Sequence, residues 1–331
     1  MFIIETYTLA VIFCVITMFA WGSWANTQKL AAKDWRFELF YWDYVLGIVL
    51  FSLLFALTAG SMGEGGRPFL EDLSQADNDN IWSAVLGGIL FNAANILLVA
   101  AITLAGMSVA FPVGIGLALV IGVIVNYIDA PVGNSTLLFG GVALIVLAIL
   151  LNANAYRKLS AQQQKVPTKG LVLAVVAGLL MGLFYKYVAN SMFPDFANPI
   201  VGKLSPYTAV FLFSLGILAS NFIFNAVLMK KPFEGAPVSF KDYFSGSSKS
   251  HLMGIIGGII WCIGMSFSIL ASDKAGPAIS YGLGQGATVV AALWGIVVWK
   301  EFKGAPKGVG GMLNAMLLLY IIGLGLIIAA R

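Results

Sequence analysis

Uncharged polar side chains interrupt several long apolar stretches of the chain, and Asn92 and Asn95 form the clearest pair. Residues three apart share one face of a helix, so the two amides should point the same way. An amide carries a donor and an acceptor together, which suits the polar edge of a small ring compound. The alternative is hydrogen bonding between neighbouring helices. Both are candidate solute-binding residues.

A second polar stripe is formed by Tyr281, Gln285 and Thr288, which follow an i, i+4, i+7 spacing. Gly282, Gly284 and Gly286 surround Gln285 and would let a backbone or a solute approach closely. The alternative is that these glycines serve tight helix packing alone. The three polar residues are further candidates for contact with a solute.

Aromatic residues and a proline occupy similar positions in other apolar stretches. Trp21 and Trp24 share a helix face and could stack on a flat ring or on the apolar side of a sugar. The alternative is an aromatic belt at a membrane interface. Pro112 predicts a kink, and interrupted helices are common at transporter sites. It is a candidate gating residue, with a purely structural kink as the alternative.

Charged residues inside the apolar stretches are few, because a charge in hydrocarbon is costly. Lys186 is the one basic residue well inside such a stretch. Its ammonium group would either snorkel to the interface or pair with a carboxylate that couples transport to an ion. The available carboxylates, Asp43, Asp129, Asp273 and Glu301, all fall near the ends of apolar stretches.

Composition decides the protein class. Hydrophobic residue types make up 60% of the 331 residues, charged types make up 10%, and the mean hydropathy is +0.91. A soluble domain carries about 25% charged residues, so lipid must solvate much of this chain. The two cysteines lie in apolar stretches, and His251, the single histidine, falls at the start of one. We therefore predict no metal, no cofactor, no nucleic-acid partner and no enzymatic activity.

Ten apolar runs are long enough to cross a bilayer, given that about 20 residues are needed. All should be α-helical, since a lone span must satisfy its own backbone. The first run lacks a basic leader and is expected to be retained. The predicted spans are Tyr7–Gln28, Leu39–Gly60, Ile81–Leu104, Met107–Ile128, Thr136–Asn154, Gly170–Ser191, Tyr207–Met229, His251–Ser272, Gly276–Trp299 and Gly308–Ala330.

Basic residues are distributed unequally between the two sides of these spans. Fourteen fall on one side and four on the other, which by the positive-inside rule makes the richer side cytoplasmic. Both termini are then non-cytoplasmic, and the protein is a multi-pass protein of the cell (inner or plasma) membrane. The fourteen are Lys29, Lys33, Arg36, Arg157, Lys158, Lys165, Lys169, Lys230, Lys231, Lys241, Lys249, Lys300, Lys303 and Lys307.

An internal repeat relates the two halves of the chain. The string from Gly87 to Phe91 recurs from Gly257 to Trp261, and the same spacing of 170 residues aligns further glycines without a gap. We predict a first five-helix repeat in residues 1–155, a cytoplasmic linker in 156–169 and a second repeat in 170–331. Five is odd, so the second repeat should be inverted, which is the usual architecture of secondary transporters.

A set of short motifs is spread over nearly the whole chain. They are Trp21-Gly22-Ser23-Trp24, Trp42-Asp43-Tyr44, Asp79-Asn80-Ile81-Trp82, Gly87-Gly88, Asn95, Gly106-Met107-Ser108-Val109, Gly122, Asn126-Tyr127, Pro206-Tyr207-Thr208-Ala209, Trp294-Gly295 and Lys300-Glu301. Together these motifs resemble the ureide permease family of the drug/metabolite transporter superfamily. This chain lacks the long central loop of the plant members of that family, and Trp24 is followed by alanine instead of proline.

The resemblance implies proton-coupled uptake of a nitrogen-rich heterocycle, such as a ureide or nucleobase, by alternating access. A rhamnose- or glucose-like sugar importer, or a broad exporter of the same superfamily, remains the alternative. Asp43 belongs to the matching motifs and is therefore the candidate proton carrier, with an ion pair to Lys29 or Arg36 as the alternative. This interpretation expects a water-reachable cavity that meets Asn95 and Gln285.

Overall fold

The computed structural model describes residues 1–32, 34–159 and 167–331, with all their side chains except those of Met107 and Ser108. Lys33, Lys165 and half of the predicted linker, residues 160–166, lie outside these ranges. The described chain forms helices and no β-sheet. The helices are α1 (Tyr7–Ser23), α2 (Asn26–Leu30), α3 (Phe37–Leu57), α4 (Phe69–Gln75), α5 (Asn78–Ala105), α6 (Met107–Asp129), α7 (Ser135–Leu159), α8 (Thr168–Ser191), α9 (Pro206–Lys230), α10 (Phe240–Phe244), α11 (Ser248–Ala275), α12 (Pro277–Gly284), α13 (Ala287–Leu293), a π-helical turn (Trp294–Val298) and α14 (Val309–Ala329).

The predicted all-α membrane architecture is confirmed. Nine helical segments of the described chain are long and apolar enough to span a bilayer, with α12, α13 and the π-helical turn counted as one. The first predicted span is the exception, because its helix α1 has only 17 residues and continues after a two-residue turn as α2. Large apolar side chains such as Phe222 and Ile321 are exposed, as expected of surfaces that face lipid.

The ninth predicted span is continuous in sequence but broken in the structure. Helix α12 ends at Gly284, α13 begins at Ala287, and Gln285 and Gly286 form the turn between them. The segment then widens into the π-helical turn before the chain turns back at Lys300, whose φ is 52°. Breaks and π turns of this kind occur frequently at functional sites because they free backbone groups and redirect side chains.

The helices pack in matched pairs. Helix α1 lies along α11 as α8 lies along α5, and α3 and α9 contact each other while packing on α11 and α5 respectively. Helix α6 packs on α8, whereas the broken span packs on α1. The pair α7 and α14 lies together at one side, with α7 also touching α6.

Small residues make the closest of these helix contacts possible. A side chain added at Gly88 would overlap the carbonyl oxygen of Phe213, and one added at Gly258 would overlap that of Tyr44. Gly88 and Gly258 are 170 residues apart. Gly106 and Gly276, which link α5 to α6 and α11 to α12, have the same spacing and nearly the same backbone angles, with φ of 77° and 82°.

Both ends of the described chain lie at one face of the helix bundle. The Tyr7 hydroxyl donates to the carbonyl of Ile328 at 2.6 Å, and the N–H of Asn134 donates to the carbonyl of Ala330. We name this the termini face. The opposite end, where Lys29 and Glu301 lie, is named the basic face.

Candidate functional site

A cavity of about 150 Å³ lies in the half of the bundle nearer the basic face. It is enclosed by α1 and α2, by α6 and α7, and by α13 with the π-helical turn that follows it. Gly22 and Thr288 line its deep end, whereas Lys29 and Glu301 line its mouth. An engineered cavity of about this size holds one benzene molecule, so this space suits a single small ring.

The mouth of the cavity is organised around Glu301. Its carboxylate accepts hydrogen bonds from the Lys29 ammonium at 3.0 Å and from the Tyr156 hydroxyl at 2.8 Å. The Lys29 ammonium also lies 4.7 Å from the centre of the Trp299 ring. The Trp299 indole N–H in turn donates to Asn26 Oδ1 at 2.6 Å. These contacts tie α2 and α7 to the end of the broken span.

Asn152 projects into the same cavity from α7. The residue is 9% exposed, and its Oδ1 atom is buried without a hydrogen-bond partner among the described residues. Sequence analysis missed this residue because it lies near the end of a predicted span, where polar residues are common. Its i, i+4 spacing to Tyr156 was the available signal, since that spacing puts both side chains on one face of a helix.

Two of the predicted site residues line the cavity, namely Pro112 and Thr288. Helix α6 continues through Pro112 without ending there, so the proline shapes the wall and does not divide the helix. The Thr288 hydroxyl is 2.6 Å from the Tyr320 hydroxyl and donates to the carbonyl of Gln285. Asn26, a further residue of the first span, also lines the wall.

The predicted pair Asn92 and Asn95 lies in a buried polar network between α3, α5 and α9. Asn92 Oδ1 accepts from the Tyr41 hydroxyl at 2.9 Å, and Asn92 Nδ2 donates to the Ser220 hydroxyl at 2.8 Å. Asn95 Nδ2 donates to the Tyr41 hydroxyl at 3.1 Å. Neither asparagine lines the cavity, because their shared partner Tyr41 holds them toward the helix interface.

The other predicted contact residues also lie outside the cavity lining. The Trp21 indole N–H donates to the carbonyl of Trp261, and the Trp24 ring lies 4.6 Å from the Tyr44 ring. Gln285 lies in the turn of the broken span. Its side chain forms no hydrogen bond with the described residues, and the predicted meeting of Asn95 and Gln285 in one cavity is not seen.

Tyr281 fills the interior on the termini side of the cavity. Its hydroxyl donates to the carbonyls of Ala118 at 3.1 Å and Met181 at 3.2 Å. The ring lies directly over Gly122, where any added side chain would overlap it. The side chain is fully buried, so it packs α12 against α6 and α8.

Asp43 has different partners from those the sequence suggested. Its carboxylate accepts from the Tyr243 hydroxyl at 2.6 Å and contacts His251 Nδ1 at 2.9 Å. Lys29 and Arg36, the expected ion-pair partners, bind Glu301 and Glu38 instead. Burial, followed by the neighbouring Asp43 carboxylate, raises the pKa of Tyr243, so this hydroxyl stays protonated and donates.

His251 was not among the predicted site residues, because it falls at the start of an apolar stretch. His251 lies on α11, and the packing of α11 on α3 brings it to Asp43, while the short helix α10 brings Tyr243 to the same carboxylate. Lys186 pairs with a carboxylate, as one of the two interpretations expected. Its ammonium lies 3.0 Å from Asp129 Oδ2 near the termini face, and Asn190 donates to the same carboxylate.

Comparisons with known proteins identify the family. The ureide permease family model matches residues 40–169 and 157–330 of the chain. The chain belongs to the ureide permease family. The predicted family resemblance is thereby confirmed, and the protein is a multi-pass membrane permease for small solutes and not an enzyme.

Individual relatives of this ureide permease family member match most or all of its length. Ureide permease 1 of Arabidopsis thaliana is 24% identical over 391 aligned positions, covering 100% of this chain and 99% of the relative. Probable ureide permease A3 of Vigna unguiculata is 22% identical, and the alignment covers 83% of this chain and 91% of the relative. A solved crystal structure superposes with a TM-score of 0.61 at 13% identity, over 97% of this chain and 96% of the other, which shows a common fold.

Proposed function

We propose that this permease takes up a small, nitrogen-rich heterocycle of the ureide or nucleobase type by proton-coupled alternating access. The observation that carries the proposal is the ring-sized cavity beside the broken span, lined by an unpaired amide and by a charge-balanced ion pair. A neutral ring with several N–H and C=O groups fits such a lining. The relatives are named as ureide permeases, which favours the same class of solute.

Uptake into proteoliposomes tests the proposal. Labelled allantoin, uracil and xanthine should accumulate faster when the outside is more acidic than the inside. The absence of uptake for all three would refute the assigned solute class. Competition by rhamnose or glucose, but not by uracil, would favour a sugar importer of the same fold.

We further propose that residues 1–155 and 170–331 are two inverted repeats joined by the linker 156–169. The matched contacts of Gly88 and Gly258 and the matched links at Gly106 and Gly276 support this division. The basic face would be cytoplasmic by the positive-inside rule. The cavity then opens inward, and the structure corresponds to an inward-facing conformation.

The repeat suggests how the opposite side would open. Phe111 lines the cavity, and its counterpart 170 residues later, Tyr281, fills the interior toward the termini face. Ala292 lines the cavity beside Phe111, whereas its counterpart Gly122 is covered by the Tyr281 ring. If Phe111 covered Ala292 as Tyr281 now covers Gly122, and Tyr281 moved off Gly122, the inward cavity would close and an outward cavity would open. Tyr281 is therefore the proposed outer plug.

Proton coupling is proposed at Asp43. The carboxylate is 1% exposed, contacts the only histidine, and joins α3 to α10 and α11 at the basic face. Protonation would remove the carboxylate charge that faces His251 and Tyr243, and so release these helices from each other. A proton-dependent link between elements of the two repeats is what coupling to alternating access requires.

Replacing Asp43 by asparagine is expected to abolish stimulation of uptake by a pH gradient, while exchange of solute without a gradient persists. The amide keeps the shape of the carboxylate but does not bind a transported proton. Uptake with and without a gradient measures the effect. Asp129→Asn is the matched control, since Asp129 is an ion-paired carboxylate near the other face. Loss of stimulation in Asp129→Asn alone would move the coupling site there.

A further inference from the structure

Asn152 stands apart from the other polar residues of the cavity. Glu301, Lys29, Trp299 and Asn26 are bound to one another at the mouth, and the Thr288 hydroxyl is bound to Tyr320. In contrast, the Asn152 amide forms no hydrogen bond with the described residues. Among the described cavity-lining residues it is the polar group left open.

An unpaired amide of this kind needs a physical reason. Buried polar atoms in folded proteins nearly always have a hydrogen-bond partner, because an unmade bond costs free energy. Asn152 is nine-tenths buried, and its Oδ1 atom is screened from solvent. A bound ligand that supplies an N–H group would satisfy it.

The surroundings of Asn152 specify the shape and charge of that ligand. Apolar side chains, including Phe111 and Ile149, form the nearby walls, and the volume of about 150 Å³ admits one ring. The charged side chains in the described cavity lining, Lys29 and Glu301, form an ion pair at 3.0 Å and neutralise each other. The cavity is therefore suited to a flat, uncharged ring.

We propose that Asn152 is the residue that determines ring specificity, an inference that rests on the proposed transport function. When the amide group turns Oδ1 toward the ligand, Oδ1 accepts from a ring N–H and Nδ2 donates to the adjacent ring C=O. An asparagine binds the donor–acceptor edge of adenine with the same two-bond geometry. The ligand class is a neutral cyclic ureide or lactam in which N–H and C=O are adjacent.

Ligand analogues test the inference without altering the protein. Binding of uracil, thymine and 1,3-dimethyluracil to the purified full-length protein is measured by calorimetry. Thymine adds one methyl group but keeps both N–H groups, so it should bind about as well as uracil. Dimethyluracil has no N–H group and should bind about 10- to 100-fold more weakly. Equal binding of uracil and dimethyluracil would overturn the inference.

Substitution of Asn152 distinguishes recognition from a structural role. Asn152→Leu should weaken uracil binding about 10- to 100-fold and reduce the preference for uracil over dimethyluracil to about one. A purely structural asparagine would weaken both ligands equally and leave that preference intact, which would refute the assignment. The matched control is Asn154→Leu, because Asn154 is exposed on the same helix and should leave binding unchanged.

The two proposals fail in different ways. If the wild-type protein takes up a ureide or nucleobase but Asn152→Leu keeps its preference for uracil, only the assignment of Asn152 is wrong. If the wild-type protein neither binds nor takes up uracil, allantoin or xanthine, the proposed function is wrong, and the role of Asn152 is refuted with it.

Discussion

Gly258→Ala is expected to destabilise the folded protein by about 3 kcal/mol or more, although alanine is the better helix former. The added methyl group would overlap the carbonyl oxygen of Tyr44, which is backbone and cannot rotate away. Helices α11 and α3 must then move apart along their length and lose van der Waals packing. The hydrophobic effect does not compensate for this loss, because it does not drive helices together in lipid. The melting temperature of the detergent-solubilised protein should fall by several degrees.

A matched pair of variants makes the measurement specific. Gly88→Ala should destabilise to a similar extent, because its methyl group would overlap the carbonyl of Phe213 in the corresponding contact between α5 and α9. Gly325→Ala should be neutral or stabilising, since no atom lies within 4 Å of the added group. An unchanged melting temperature for Gly258→Ala would contradict the close α3–α11 contact.

Gly122→Ala is expected to suppress transport by displacing Tyr281 from its position over α6. The added methyl group would overlap the Tyr281 ring, and the two hydrogen bonds to Ala118 and Met181 hold the ring in place. Overpacking of this kind costs about 2 kcal/mol, which changes the ratio of two conformations roughly thirtyfold. The conformation open at the termini face should therefore gain population.

Labelling of an introduced cysteine reports that shift. Ala25 is exposed at the cavity, and both native cysteines, Cys14 and Cys262, are buried. In an Ala25→Cys background, Gly122→Ala should slow modification by a water-soluble maleimide as the cavity closes. Gly116→Ala on the same helix has no atom within 4 Å of the added group and should leave the labelling rate unchanged. Unaltered labelling and uptake in Gly122→Ala would refute the plug role of Tyr281.

The sequence predicted the class and the spans with good accuracy because both depend on local properties. A run of about 20 apolar residues must be helical in lipid whatever its neighbours are, so span positions follow from hydropathy alone. The family motifs are likewise short continuous strings, which can be recognised without knowing the tertiary structure. The break at Gln285 and Gly286 was not predicted, because the nearby glycines, which weaken a helix, were interpreted as sites of close helix packing or solute approach.

The candidate site depended on contacts that the sequence does not encode locally. Asn92 and Asn152 are both polar residues inside apolar helices, yet Tyr41 satisfies the first and no described residue satisfies the second. Their spacing along the chain does not distinguish these cases, since the partner lies on another helix. His251 was not predicted as a site residue for the same reason. Its contact with Asp43, like that of Tyr243, is made between residues that lie on different helices.

The sequence by itself determined that this protein is an all-helical membrane permease of the ureide permease family, because hydropathy and motifs are properties of continuous segments. Only the tertiary structure decided which polar residues line a cavity and which form hydrogen bonds between packed helices. In lipid, the hydrogen-bond partner of a polar side chain depends on which neighbouring helix packs against its face. Only the packing of separate helices therefore reveals that Asn152 remains open for a ligand.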